Sequence, residues 1–402
     1  MGPLLGVTVL DLSRILAGPW ATQCLADFGA TVWKIEKPGT GDDTRSWGPP
    51  WLKDDAGQNT AEAAYYLSAN RAKRSVAINI ADAQGQELVR RLAARADVLV
   101  ENYKVGALAK YGLDFASLQK VNPRLVYCSI SAFGQTGPDA RGAGYDAMIQ
   151  GMSGLMSITG EPDGAPQKVG VAVTDLMTGM YAVSSILAAL YERARSGLGQ
   201  HIDLALLDTQ IATLANQGMN YLMTGRAPLR QGTAHPNIVP YQGFATADGH
   251  LMLAIGNDQQ FVKFCEAAGS AGLARDERYR TNSQRVAHRA TLLPEVQRLC
   301  KQKTTQQWLD LLASDVPCGP INDIGQAFAE PQVVHRAMQF GLPHPAGTIV
   351  PQVRNPAVFS RSELEYRHPA PLLGQHTDEV LERELALTAE ELEALRGRAV
   401  IN

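Results

Sequence analysis

The chain has 402 residues, 45% hydrophobic and 19% charged, with a formal net charge of −3. This is the balance of a globular α/β-sized protein with more length than one ordinary core needs, and it argues against nucleic-acid binding as the main business. No basic-then-apolar leader opens the chain, no run of about 18 apolar residues occurs, and the five cysteines and eight histidines are scattered without metal-ligand spacing, so the reading is a cytoplasmic protein with reduced thiols, no resident metal, and neither nucleic acid nor membrane as partner.

The first half alternates strand and helix signals. Val7 to Asp11 reads as a strand, and Pro19 to Phe28 as a helix with Pro at its start and Gly29 closing it. Thr31 to Ile35 and Ser75 to Ile80 read as further strands. Gly85 to Ala96 puts Leu88, Val89, Leu92 and Ala93 on one helical face. Val98 to Val100 and Leu125 to Ile130 complete a β-α-β alternation that predicts an α/β fold with a parallel, doubly wound sheet. A long helix over 176–195 ends at Ser196-Gly197, with Arg193 and Arg195 in its last turn where cations suit the helix dipole. His201 to Leu204 is a short strand leading into a connecting helix of about 206–223. From 225 to 330 the character changes, with short strands at 244–246 and 251–254, a turn at Asp248-Gly249, and helices at 259–268 and 306–313. This predicts a smaller inserted α/β domain. Thr388-Ala-Glu-Glu391 is a capping box for the last helix.

Several chemistries lack their signatures. Glu36 follows the second strand as a ribose-binding acid would, but the preceding turn, Arg14-Ile-Leu-Ala-Gly18-Pro, carries one glycine where a dinucleotide loop needs three. There is no phosphate-cradling G-x-x-x-x-G-K-[ST] loop and no G-x-S-x-G elbow. A cysteine nucleophile stays open on composition. Cations gather at Arg14, Lys34, Lys37, Arg71, Lys73, Arg74, Lys104 and Lys110, near strand ends where a doubly wound sheet binds ligands, and can be read either as phosphate-binding groups or as solvated surface. Asp175 stands where a mostly apolar run turns into the long helix. As an N-cap it would contribute about 1 kcal/mol. A helix start also favours an ionised carboxylate, which is a usable nucleophile, so capping and catalysis are compatible.

The stretches Leu4 to Pro19, Gly29 to Glu36, Asn70 to Ser75, Glu101-Asn102-Tyr103, Phe133 to Pro138, Gly144-Tyr145-Asp146, Thr174-Asp175 and Pro371 to Thr377 run in order from end to end. As a set they resemble the class III CoA-transferases. The resemblance implies an interlocked homodimer. It also implies a Rossmann-like large domain built from both chain ends (1–200 and, after a linker, 331–402), a connecting helix at 201–224 and a small domain at 225–330. Acyl-CoA and a free carboxylic acid are the implied substrates, with CoA a substrate and no permanently bound cofactor. Asp175 matches the family's nucleophile, which passes through a mixed anhydride and an aspartyl-CoA thioester. The implied CoA contacts are Leu16 and Ala17 at the pantetheine end, Lys37 near the nucleotide, Ala69, Asn70, Arg71 and Ala72, then Asn102, Tyr103 and Lys104, then Lys110, and Gly142, Ala143, Gly144 and Tyr145.

Leu16 stands where formyl- and oxalate-specific members carry Gln, and Ala254 to Phe261 lacks their run of glycines. Gly41 to Pro50, Gly232 to His235 and Ile238 to Phe244 resemble instead the subgroup that uses succinyl-CoA with glutarate, hydroxymethylglutarate or itaconate. A dicarboxylate acceptor needs a cation or donors for its distal carboxylate, since burying that charge unpaired costs several kcal/mol. Arg45, Arg71, Arg74 and His235 are the candidates by motif. The α-methylacyl-CoA racemases share the fold but use a histidine where this chain has Tyr145. A non-catalytic CoA-binding homologue is the third reading.

Overall fold

The computed structural model describes residues 1–312 and 314–402; Ala313, the expected end of one small-domain helix, lies outside the described residues. Two compact units form: residues 1–155, 169–222 and 334–402, and residues 156–168 with 223–333. Segment 156–168, counted on sequence with the N-terminal part, therefore clusters with the small unit.

The first unit holds strands β1 (Thr8–Asp11), β2 (Thr31–Glu36), a short antiparallel hairpin β3 (Trp51–Lys53) and β4 (Asn59–Ala63), then β5 (Lys73–Ala77), β6 (Val98–Glu101), β7 (Val126–Ser131) and β8 (His201–Ala205). Six of them form one parallel sheet in the order β5-β2-β1-β6-β7-β8. Both faces are covered, so the strands read as near-continuous apolar runs. Alternate residues divide between two cores. Leu10, Trp33, Val76, Leu99 and Tyr127 face one side; Val9, Val32, Val98, Val100, Val126 and Cys128 face the other.

Nine helices follow through this half in chain order: α1 (Ala17–Asp27), α2 (Ala64–Ala69), α3 (Ala83–Ala93), α4 (Phe115–Val121), α5 (Asp146–Met152), α6 (Leu155–Ile158), α7 (Val173–Ser196), α8 (Leu206–Ala212) and α9 (Ala215–Thr224). The expected connecting helix is thus two, because Ala215 adopts a left-handed φ of 47° that breaks the run. Helices α1 and α7 cover one sheet face through small residues, Ala17, Ala21, Ala182 and Ala189. A Cβ on Gly179 would stand 2.8 Å from the Ala17 carbonyl oxygen, so glycine there lets α7 lie against the start of α1. By length and hydropathy α7 would pass as a membrane span; here it is a core helix with buried Asp175 and Arg193 along it.

The other face is covered by α3, α4 and the C-terminal helices Thr377–Leu385 and Ala389–Gly397, which contribute Val380, Leu381, Leu392 and Leu395. The capping box of the last helix forms as expected, Glu391 Oε2 accepting from the Thr388 N–H at 2.8 Å. The second unit has its own antiparallel sheet of β9 (Tyr241–Ala245), β10 (His250–Ala254) and β11 (Cys318–Pro320), with a core of Phe244, Leu251, Phe261, Phe264 and Trp308. A last hairpin, β12 (Gln339–Pro343) with β13 (Ile349–Val353), returns to the first unit.

Candidate active site

The long helix starts three residues earlier than its sequence suggests. Ala172 is its N-cap and offers no side-chain acceptor, so Asp175 lies in the first turn and is not the cap. The two N–H groups there find their acceptor elsewhere. Asp146 Oδ1, on α5, accepts from the Thr174 N–H at 2.8 Å and the Asp175 N–H at 3.3 Å. Among the described residues, no donor meets the Asp175 carboxylate. Burial first, and then the neighbouring charge of Asp146, push its pKa up to about 7.

Asp175 lines a cavity of about 330 Å³ at the carboxyl ends of β1, β6 and β7. This is the crevice where doubly wound sheets bind ligands. The wall at β1 is the Arg14-Ile15-Leu16 turn, with Ile15 at a left-handed φ of 72°. A β-branched residue is strained there and needs the surroundings to hold it. Asn102 brackets the turn, its Nδ2 donating to the Arg14 carbonyl at 2.7 Å and its Oδ1 accepting from the Arg14 N–H at 2.8 Å. Below it, Lys34 Nζ donates to the Ser13 carbonyl and to Asp42 Oδ2, both at 2.9 Å, and Asp42 Oδ1 accepts from the Ile15 N–H at 3.3 Å. Lys34, Lys73 and Asp11 are fully buried within one charge-paired network under the crevice.

A second cavity of about 370 Å³ adjoins the first, sharing Arg14, Asp43 and Tyr103 with it. Lys37 and Lys110 line this outer part. The pair of cavities thus runs from a buried acid to a cationic mouth, a shape and charge order that suit a long ligand with a reactive end and a phosphorylated end.

CoA-transferase family III matches residues 4–377 of the chain. The chain belongs to the class III CoA-transferases. A succinate–glutarate CoA-transferase of Agrobacterium fabrum is 54% identical over 385 residues, 94% of this chain and 95% of that protein. The succinyl-CoA:glutarate CoA-transferase of Mus musculus is 46% identical over 404 residues, 100% of this chain and 91% of the relative. The crystal structure of a CAIB/BAIF family protein from Brucella suis superposes with a TM-score of 0.84 at 48% identity, covering 95% of this chain and 99% of that one.

In this class III CoA-transferase, Leu16, Ala17, Asn102, Tyr103, Lys104, Gly142, Ala143, Gly144 and Tyr145 all line the cavity that holds Asp175. The stretch from Ala69 to Ala72 lines neither cavity. Ala69 and Asn70 are fully buried, Asn70 accepting from Lys73 Nζ at 2.9 Å. Arg71 is fastened to Asp27 through two nitrogens, at 2.6 and 2.8 Å, and borders a different, apolar groove. The Ala72 N–H donates to the His368 carbonyl.

The expected carboxylate clamp fares differently at each position. Arg45 is committed: Nε and Nη2 grip both oxygens of Glu36 at 2.8 Å, and Nη2 also donates to Tyr66 Oη and the Pro371 carbonyl. A guanidinium so engaged has no fork left for a substrate. Arg74 pairs with Glu379 at 3.1 Å beside His368 and His376, in a separate cavity from that of Asp175. His235 belongs to the second unit, where its ring stacks on Tyr241. The cations that do line the Asp175 cavity are Arg14 and Lys104.

A cysteine nucleophile is disfavoured. None of the five thiols lines this cavity, and burial pushes Cys24 up to about 11 and Cys265 and Cys300 to about 12. Sequence reasoning passed over Trp47, which lines the cavity, and Tyr65, which packs edge-on against it at 5.3 Å. Burial, then the charges of Asp175 and Asp146, raise the Tyr65 phenol, so it stays neutral. Asp146 was visible in the Gly144-Tyr145-Asp146 motif, but nothing local tied it to a helix that starts 27 residues later.

Proposed function

We propose that this chain moves CoA from succinyl-CoA to a dicarboxylate of four to six carbons, with glutarate the first candidate and hydroxymethylglutarate and itaconate next, using Asp175 as the nucleophile. The observation that carries the reading is the Asp175 carboxylate itself: buried, without a donor, and in one cavity with nine of the expected CoA-contacting residues. The relatives named above, similar over nearly the whole chain, support glutarate.

The chemistry follows from that carboxylate. One Asp175 oxygen attacks the thioester carbonyl carbon of succinyl-CoA. The C–S bond breaks, leaving a succinyl–aspartyl anhydride and CoA thiolate. The thiolate attacks the Asp175 carbonyl carbon of the anhydride and expels succinate, giving an aspartyl-CoA thioester. The acceptor carboxylate attacks that thioester and releases the thiolate again, which takes the acyl group from the second anhydride and restores Asp175. One thioester replaces another, so protons and electrons balance without ATP or metal. Holding the thiolate beside the anhydride and excluding water are the protein's tasks. Backbone N–H groups at the uncapped start of α1, next to Leu16, are suited to the developing oxyanion. Arg14 and Lys104 are the cations at hand for anionic groups of either substrate. Tyr145, a weak acid where racemases hold a base, speaks against α-proton exchange.

Incubating the enzyme with succinyl-CoA and a panel of free acids tests the reading. Glutarate, hydroxymethylglutarate or itaconate should form its CoA ester with release of succinate. Butyrate accepted as well as glutarate would remove the dicarboxylate assignment, and transfer to no acid would remove the activity.

The working form is proposed to be a homodimer. Met180 and Tyr181 of α7, Ile211 of α8, and Met219, Tyr221 and Leu222 of α9 are large apolar side chains left exposed on consecutive helices of one chain. Light scattering is expected to give twice the 43.3 kDa chain mass, unchanged on dilution; a monomer mass would refute it.

A further inference from the structure

We propose that Gln150 is a positioning residue for the reaction, fixing the carboxylate of Asp146 and through it the geometry and charge around Asp175; the inference rests on the reading of Asp175 as nucleophile. Gln150 and Asp146 are four apart on α5 and so share one face of it. Gln150 is fully buried. Its Oε1 accepts from the Val169 N–H at 2.9 Å, and its Nε2 donates to Asp146 Oδ2 at 2.6 Å. A backbone N–H can only donate, so the amide cannot be turned round: the oxygen must face Val169 and the nitrogen must face the acid.

The consequence reaches α7. With Oδ2 held by Gln150, Asp146 Oδ1 stays on the Thr174 and Asp175 N–H groups. Asp146 thus caps the nucleophile's helix from another element, in place of Ala172. The donors at the head of α7 would otherwise attract the nearest carboxylate, and in the first turn that is Asp175 itself. A nucleophile drawn into capping its own helix is a weaker nucleophile. By keeping Asp146 in the capping position, Gln150 leaves the Asp175 carboxylate free to react. Among the described residues, Asp146 on α5, Asp175 on α7 and Tyr65 on α2 are the titratable groups of this cluster, and Arg14, Asp43, Lys104 and Tyr145 line the cavity that Asp175 faces; α8 presents a neutral partner, Gln210, to the Thr174 hydroxyl at 2.7 Å.

Two variants separate positioning from packing. Gln150→Met keeps length and removes both hydrogen bonds. Gln150→Glu keeps the acceptor for Val169, and when protonated it can donate to Asp146, but when ionised it repels it. Steady-state transfer from succinyl-CoA to glutarate is measured from acid to mildly alkaline pH, with hydroxylamine trapping at Asp175 alongside. Gln150→Met is expected to lower kcat by about 10- to 100-fold with KM for succinyl-CoA changed less than about twofold, the signature of a reacting group slightly misplaced. Gln150→Glu should approach wild type at the acid end and fall away as pH rises. A Gln150→Met kcat within about threefold of wild type overturns the proposal. So does a loss in both variants whose ratio ignores pH, which is what a packing role alone would give. If Gln150→Met does not fold, the pH profile of Gln150→Glu decides by itself. Wild type that neither transfers CoA nor forms a hydroxamate at Asp175 would bring down the nucleophile reading, and this inference with it, whereas active wild type beside unaffected variants brings down only the role of Gln150.

Discussion

Asp175→Ala is expected to lose CoA transfer by roughly 10³- to 10⁴-fold or more, because the other carboxylate lining the cavity, Asp43, is half-exposed and paired with Arg14 at 2.9 Å, a poor substitute for a buried acid without a donor. Asp175→Asn should be comparably poor, since an amide cannot attack the thioester and return as a leaving group. Both variants should remain folded, because the cap of α7 is Asp146 and not Asp175. Wild type mixed with succinyl-CoA and then hydroxylamine should carry a hydroxamate on the peptide containing Asp175. Full activity in Asp175→Ala would sink the mechanism. As the proposed nucleophile Asp175 must be ionised, and its pKa is pushed up to about 7, so the first half-reaction should speed up as pH rises through that value and then level off.

The same shift makes a stability prediction of definite sign. Asp175 moves from an ordinary 3.8 to about 7 on folding. Between those values the native state holds a proton that the unfolded chain has given up. Its contribution is therefore complete below the lower value and is lost as pH rises through the upper one. At a pH of about 8 the folded protein carries a buried charge that Asp175→Asn lacks, and the variant should be more stable by roughly 2–4 kcal/mol. Toward pH of about 5 the gap should shrink to roughly a third, and it closes only below the ordinary value of 3.8. Denaturant melts of the two proteins at both pH values check it. A dead enzyme that melts above its parent at alkaline pH is the pattern expected when stability is given up for reactivity.

Asp42→Ala should be strongly damaging to stability. Asp42 is buried against Lys34 at 2.9 Å, and neither side chain reaches solvent. Burial alone would raise the Asp42 carboxyl, but the Lys34 charge and the Thr44 hydrogen bonds outweigh it and hold it below its ordinary value. Removing it strands an ammonium in the interior, at a cost of about 3–5 kcal/mol. It also removes the acceptor of the Ile15 N–H, so the strained turn that carries Leu16 and Ala17 loses an anchor and kcat/KM should fall as well. With a depressed folded pKa, this contribution is present above the unfolded value and is lost as pH falls through the folded one. Wild type should therefore lose its advantage over Asp42→Ala in strong acid. The double variant Lys34→Met with Asp42→Leu separates the two effects. It should recover most of the stability, because a buried ion pair can be replaced by apolar packing, but not the activity, because the Ile15 N–H and the Ser13 carbonyl still lack their partners. Recovery of both would mean that the pair has no part in shaping the crevice.

What the sequence determined by itself was what local pattern can carry. Apolar residues of alternating facing in β1, β2, β6 and β7, with helical periodicity between them, were enough for a parallel, two-sided sheet. The capping box at Thr388 and Glu391 involves only neighbours, and it formed as read. The ordered set of motifs was enough for the family. Partners far apart in sequence were decided only by the tertiary structure. Arg45 looked like a clamp for the substrate carboxylate in a subgroup motif; folding brought Glu36, Tyr66 and Pro371 around it and consumed its donors. Ala69 to Ala72 looked like a ligand-binding run and became part of the interior. Asp175 could be read as a cap as well as a nucleophile, because a sequence shows which acid stands nearest a helix start but not that Asp146, 29 residues away, will reach its N–H groups first. A carboxylate becomes a nucleophile when its neighbours leave it unbonded, and whether they do depends on which side chains the folded chain brings against it.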